Sequence, residues 1–468
     1  MKTWVIALSA LAITGVTGAL IAAGAAVSVE AVREEVAVTI YNGNFGLVRD
    51  VRDMSLPGGV SVLEFPHVAA LIDPTTVNVK SLTSPASLRV LEQNYEYDLL
   101  SPEKLMNKYV GKKVKLLTSE GAVIEAVLLS NNNGPIYEIN GEIHMGHPGR
   151  VVLPVVPKEL IPKPTLVWHL ENSSVGNHRV EVSYLTSGIT WKADYVVTAD
   201  AADRMADIAG WVTLDNKSGA SYENAALKLV AGDVHRVTPP DQMPRVMEMM
   251  AKADAAAGRF VEEGLFEYHL YTLQGKTTVK DNQTKQVGLM TAAAVPIRKI
   301  LTFRGMDHFY LSHYGGRLPK QKVNVALEID NTQKNNLGLP LPKGIVRVYK
   351  ADSSGSLQFI GEDLIDHTPK DEKLKVRMGD AFDVVGERVQ KDYQVLGTNT
   401  YEVEWEISLR NHKKEEVQVT IIEPVPGDWS VVKSTHPYDK TEAHTLEYVV
   451  KVPADGQVKV AYRVRFKH

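Results

Sequence analysis

Chemistry, if this chain performs any, is first sought among six side chains: Trp191, Tyr195 and Trp211, and Asp281, Asn282 and Lys285. The aromatic three, with Tyr184, sit at alternating positions of β-like runs, where flat rings can form a platform for a sugar. The same spacing also places rings in the core of a sheet, the commoner use of strand aromatics. The polar three lie between two such runs. There they would contact a ligand, or would serve turn chemistry, since Asp and Asn side chains satisfy nearby backbone groups. Histidine is a frequent metal ligand, and His144, His147 and His169 are near each other in sequence, as are His308 and His313. A metal site would still need a third ligand and convergent geometry. Met243, Met247, Met249 and Met250 form a thioether cluster. It is compatible with Cu(I), with a soft patch for a partner, or with an insertion whose methionine face rests on a sheet.

Motifs that announce catalysis are missing. The chain has no Gly-x-Ser-x-Gly elbow, no His-Glu-x-x-His, no phosphate loop and no dinucleotide fingerprint. Many Asp and Glu are present, but a glycosidase needs two of them opposed across a cleft, and sequence does not pair them. No catalytic residue, metal or cofactor is therefore expected.

The elements that must position these residues are strands. Within residues 168–232, Val180, Val182 and Tyr184 alternate, as do Trp191, Ala193, Tyr195 and Val197, then Val212 and Leu214, then Leu227, Leu229 and Ala231. A period of two broken by Gly, Asn, Ser and Asp predicts half-buried antiparallel strands. Upstream, Asn42-Gly43 separates two alternating runs, a hairpin signal, and residues 32–95 read as a small β domain. Five strands are expected at 113–118, 122–130, 136–139, 142–145 and 150–153, after a short helical turn near 99–105. This spacing suggests an SH3-like barrel over 96–157, whose closure would remove exposed edges. A proline-rich linker follows. A central β-sandwich spans 158–395, with a helical insertion at 239–259 and a strand region at 384–395. The run Phe266, Tyr268, Leu270 and Thr272 reads as one strand, and residues 280–285 as a polar break. Residues 396–468 have the rhythm of an Ig-like sandwich. The fold class is thus all-β: several antiparallel sandwich or barrel domains, with few short helices.

Composition sets the compartment and narrows the partners. The 468 residues are 44% hydrophobic and 23% charged, with a net charge of -4 and a pI near 6.4. Enough apolar residues are present for a core, and nothing favours nucleic acid. There is no cysteine, which excludes disulfides and thiolate chemistry and suits export through an oxidising compartment. Met1-Lys2, an uncharged apolar run over 4–27, and small residues at Val29-Glu30-Ala31 or Ala23-Gly24-Ala25 make residues 1–31 a signal peptide pattern. The alternative is an uncleaved anchor, because a span needs only about 20 residues. The expected product begins at Val32, has no membrane span, and is periplasmic or secreted.

Several segments together resemble one family. They are YNGNFGLVRDVR, TSGITWKADYVV, AGWVTLDNKSGASYENAALKLVAGD, YHLYTLQGKTTVKDNQTKQVGL, EPVPGDWSV and YRVRF. The most specific clusters are Trp191/Tyr195, Trp211/Asn216/Gly219 and Lys280-Asp281-Asn282. The resemblance is to the domain of unknown function 4139 family, bacterial envelope proteins to which mucoidy inhibitor A proteins are similar. It covers most of the chain past the leader, less clearly residues 112–153, where many members look to carry a helical, coiled-coil region. It implies an envelope location and brings no activity that can be carried over residue by residue. The expectation is a non-enzymatic binding or scaffold module for an envelope protein or polysaccharide, acting through sheet edges and loops. An envelope hydrolase acting on glycan or peptide is the alternative.

Overall fold

A computed structural model describes residues 32–232, 234–236, 260–316, 318 and 320–467. The expected signal peptide at 1–31 and the insertion at 239–259, with its methionines, lie outside the described residues. The fold is all-β, with strand over 65% of the chain and helix over 4%. The described residues divide into two compact units: those within 32–34, 51–70 and 78–182, and those within 35–50, 71–77 and 183–467.

In the first unit, strand Thr165–Asn172 lies between Gly59–Pro66 and Leu88–Glu96, antiparallel to each. Alternation explains its core: Leu166, Trp168 and Leu170 point inward with Leu63 and Phe65. The buried Trp168 indole donates to Gln93 Oε1 at 2.8 Å, so its one polar atom is satisfied. The five short strands form a sheet in the order Arg150–Val152, Lys113–Leu117, Val123–Ser130, Ile136–Ile139, Glu142–Met145. Tyr109, Val114, Leu116, Leu128 and Tyr137 fill its core. The two end strands are not paired with each other, so the sheet is open where a closed barrel was expected. The helix before it, Pro102–Lys108, starts where the sequence dictates: the Ser101 hydroxyl accepts from the Lys104 amide at 3.2 Å, and proline opens the first turn.

The second unit holds a 13-stranded sheet. Strand Ile189–Ala199 pairs with Met205–Asn216 on one side and, in parallel, with Gly344–Ala351 on the other. The 22-residue strand Gln283–Arg304 pairs first with Met205–Asn216 and then with Gln321–Asp330. Within the first of these pairings Ala294 has a positive φ of 51°, at the register shift between Ala206 and Ile208. A second layer starts where residues 37–41 run parallel to 226–230 within strand Tyr222–Ala231, which pairs in turn with Tyr268–Val279. The C-terminal core buries Val403, Trp405, Ile407 and Leu409 by alternation, and draws in Leu301, Phe303, Tyr310 and Val323 from upstream.

Two local expectations shift. Phe266 is exposed in a tight turn with φ 60°, and its strand begins at Tyr268, because Leu265 pairs with Tyr268. The polar break at 280–285 contracts to the turn Asp281-Asn282, since Gln283 already pairs with Asn216.

One device recurs four times. Asn172, Asn216, Asn331 and Asn411 are each 2% exposed or less. Each stands at the point where the chain leaves one strand ladder for another. Carbonyls in such an arch have no ladder partner, and buried ones must find a donor. The Asn216 amide donates to Ala220 O and Lys280 O, both at 2.9 Å. Asn331 donates to Leu339 O and Pro369 O. Asn411 serves Glu415 O and Pro453 O, and Asn172 serves Pro57 O and Ser174 O. In each case the amide oxygen accepts a backbone N–H nearby in the chain, as from Ser218, Gly338, Lys413 and Ser174.

Candidate functional site

The six residues singled out by sequence do not converge. Trp191 and Tyr195 share one face of their strand, and both are buried. Trp191 Nε1 donates to Val230 O at 3.1 Å, and Tyr195 Oη donates to Pro342 O at 2.7 Å. Burial, with Tyr271 nearby, holds the Tyr195 phenol well above its ordinary pKa. Trp211 is opposite Asp194 in the neighbouring strand, on the other face, and is 42% exposed.

Asp281, Asn282 and Lys285 are occupied locally. Asp281 Oδ1 accepts from the Gly219 amide at 3.0 Å, while its own amide donates to Ser221 Oγ. Asn282 donates to Asp281 Oδ2, and Lys285 Nζ donates to Thr278 O. With Asn216 bonded to Lys280 O, these contacts knot two loops together. This is the turn chemistry their residue types allow.

The histidines do not assemble either. His147 Nδ1 accepts the Gly149 amide, and His308 and His313 lie against the rings of Phe309 and Tyr393. Among the described residues no group of three His, Cys, Asp or Glu could hold a metal.

A cleft of about 630 Å³ does form, in the second unit. Its walls come from the turn after residue 41, the start of strand Ile189–Ala199, the end of Met205–Asn216, Gly232 and Val234, and residues 343–345 and 364–367. One wall is aromatic: Tyr41 stacks on Phe45 with centroids 4.4 Å apart and planes 10° apart. The Arg236 guanidinium lies 4.7 Å from the Phe45 ring and 3.7 Å from Asp73. Burial raises the Tyr41 phenol pKa.

The turn is clamped to the sheet. Asn42 Nδ2 donates to Trp191 O at 3.0 Å, and Thr190 Oγ1 donates to Asn42 O at 3.2 Å. That leaves Asn42 Oδ1 buried with no partner in a residue that lines the cleft. A buried acceptor without a donor costs about 1–3 kcal/mol, which the two clamping hydrogen bonds help to offset.

The opposite wall depends on a close approach. Gly344 is paired with Ala193, and a Cβ on it would fall 2.2 Å from Ala193 O. Beside it the Lys343 amide donates to His367 Nδ1 at 3.2 Å.

The lining is cationic on balance. Lys192 is 3.9 Å from Asp194, a carboxylate held more closely by Arg347 at 3.1 Å and by Thr213 Oγ1 at 2.7 Å. Asp215, the one carboxylate among the described lining residues, has Lys217 at 3.1 Å and accepts from Thr284.

Sequence reasoning reached this cleft through Trp191 alone. Tyr41, Asn42, Phe45, Lys192, Lys343 and His367 carry no shared spacing, and only long-range register brings them together. The Asn42-Gly43 hairpin signal was the one local pointer.

A second polar cluster is sealed. Arg388 forms a two-pronged pair with Glu423, and the pair is fully buried. Tyr310 and Tyr462 each donate to Glu423 Oε2 at 2.7 Å. Phe303, Phe309 and Trp405 surround the guanidinium. A Cβ on Gly305 would fall within 2.7 Å of both charged groups, so the cluster is packed shut. It organises the C-terminal core.

Comparison with known proteins places these features in a family. A family model described as "Domain of unknown function (DUF4139)" matches residues 180–468, more than half of the chain. The chain belongs to that family. No curated protein matches it. Trp191, Lys192, Thr213, Lys343 and the Asn216–Asp281 knot lie inside the matched region, whereas Tyr41, Asn42 and Phe45 lie before it.

Proposed function

We propose that this DUF4139-family chain is an exported, non-enzymatic binding module of the bacterial envelope, and that its cleft holds a segment of polysaccharide. The observation that carries this is the cleft lining. Half-buried Tyr41, backed by the buried Phe45 and Trp191 rings, stands beside the hydroxyls of Thr190 and Thr213. Apolar walls with a few convergent polar groups suit a ligand that is flat on one side and hydroxylated at its rim. Export rests on the charge and apolarity pattern of residues 1–31. No helix among the described residues is long and apolar enough to cross a membrane. The binding reading is favoured over the hydrolase because the described lining residues include one carboxylate, already paired with Lys217, where glycoside hydrolysis uses two opposed ones.

The test is calorimetric titration of the chain from Val32 with solubilised envelope glycans, alongside Tyr41→Ala. Saturable binding is expected, weakened about tenfold in the variant, which corresponds to about 1.4 kcal/mol. No reducing ends should appear on long incubation. Glycan cleavage, or affinity unchanged in Tyr41→Ala, would overturn this reading.

A further inference from the structure

We infer that the cleft selects an anionic glycan, one bearing carboxylate or phosphate groups; this rests on the binding reading above and adds the charge class. The chain as a whole has a net charge of -4. The cleft runs against that balance. Lys192 and Lys343 line it, and the single carboxylate among the described lining residues, Asp215, is neutralised by Lys217 at 3.1 Å. Lys192 is 57% exposed, and the carboxylate it approaches at 3.9 Å, Asp194, is held more closely by Arg347 and Thr213. Lys343 is exposed, and its backbone is fixed by the amide bond to His367. Arg236, over the Phe45 ring, is paired with Asp73 at 3.7 Å and adds no net charge.

Two exposed lysines beside a partly enclosed, low-dielectric wall, with the described lining carboxylate already held by Lys217, give a positive field that raises the local concentration of anions. The two sides of the cleft then divide the work. Tyr41, backed by the buried Phe45 and Trp191, offers the sugar ring an apolar surface, and the lysines offer its acidic substituent a counter-charge. Lysine is suited to this, because its ammonium is a compact charge on a flexible stem and tolerates variation in where the acid sits along a polymer. A neutral glycan would use only the first half of this lining.

The experiment titrates the chain from Val32 with three probes at low salt: polygalacturonate for carboxylates, phosphomannan for phosphates, and dextran as a neutral polymer. Lys192→Gln and Lys343→Gln are compared with Lys451→Gln, which is exposed and lines no part of the cleft. Thermal melting confirms that each variant folds. The expected result is that at least one acidic polymer binds ten times more tightly than dextran, and that this preference falls as salt is added. Each cleft variant should lose roughly threefold to tenfold on that polymer, while Lys451→Gln loses nothing. Preference for polygalacturonate or for phosphomannan identifies the acidic group. Dextran binding as tight as the acidic probes, untouched by the lysine variants, would overturn the anionic selectivity and leave the cleft reading in place. Binding of none of the three would overturn both.

Discussion

Single residues carry much of this fold's specification, and buried asparagine is the clearest case. An asparagine amide has two donors and an acceptor with two lone pairs, which matches the needs of an arch that has left its ladder. At position 216 that side chain satisfies two carbonyls and the amide and hydroxyl of Ser218. Asn216→Ala should therefore cost about 2–4 kcal/mol, since several buried polar groups lose their partner at once. Asn216→Asp should be no better, because a carboxylate oxygen would face two carbonyl oxygens. Urea unfolding of the three proteins checks this; an alanine variant within about 0.5 kcal/mol of the parent, the range of ordinary surface changes, would show that the arch does not depend on the amide. Asp281 and Asn282, which look like ligand contacts in sequence, belong to the same knot and serve it.

At the level of strands and turns, alternation is a strong guide and long-range register is not. Leu166, Trp168 and Leu170, or Val403, Trp405, Ile407 and Leu409, are legible as inward faces because a strand side chain reverses every residue. The five short strands and the helix near residue 102 are legible for the same reason, with turn and capping residues marking their ends. Phe266 misleads, because an aromatic in phase with a strand also fits a two-residue turn when the pairing partner is unknown. The cleft was almost illegible. Asn42 and Trp191 are 149 positions apart, and nothing local says that they touch. The parallel pairing of residues 193–199 with 344–350 is equally hidden, yet it makes one wall of the site. Gly344 permits that approach, so Gly344→Ala should force the strands apart and destabilise the second unit by about 1–3 kcal/mol. The expected readout is a lower urea midpoint together with weaker glycan binding; an unchanged midpoint would mean the strands yield without cost.

The molecule as a whole stores phenols in its apolar interior, and this gives it a characteristic response to alkali. Tyr195, Tyr271, Tyr310, Tyr448 and Tyr462 all have pKa values raised above the ordinary 10.0, with burial as the leading cause. Glu423 adds to this at Tyr310, Tyr448 and Tyr462. The sign follows from linkage. Above the unfolded value near 10 the unfolded chain has lost protons that the folded chain retains, so stability falls as pH rises. Below that value the contribution is fully present. The expected outcome is that these phenols ionise together with unfolding, in one steep step of tyrosinate absorbance above pH 10 that coincides with loss of near-ultraviolet circular dichroism. A gradual titration without unfolding would contradict their burial.

The whole-molecule claim that matters most is where a ligand sits. Hydrogen exchange of the chain from Val32, with and without a saturating acidic envelope glycan, reads this directly. The predicted result is slowed exchange at residues 41–45, 190–193 and 343–345, three segments far apart in sequence that meet at the cleft. Protection at other sheet edges with these segments unchanged, or no protection despite measurable binding, would contradict it.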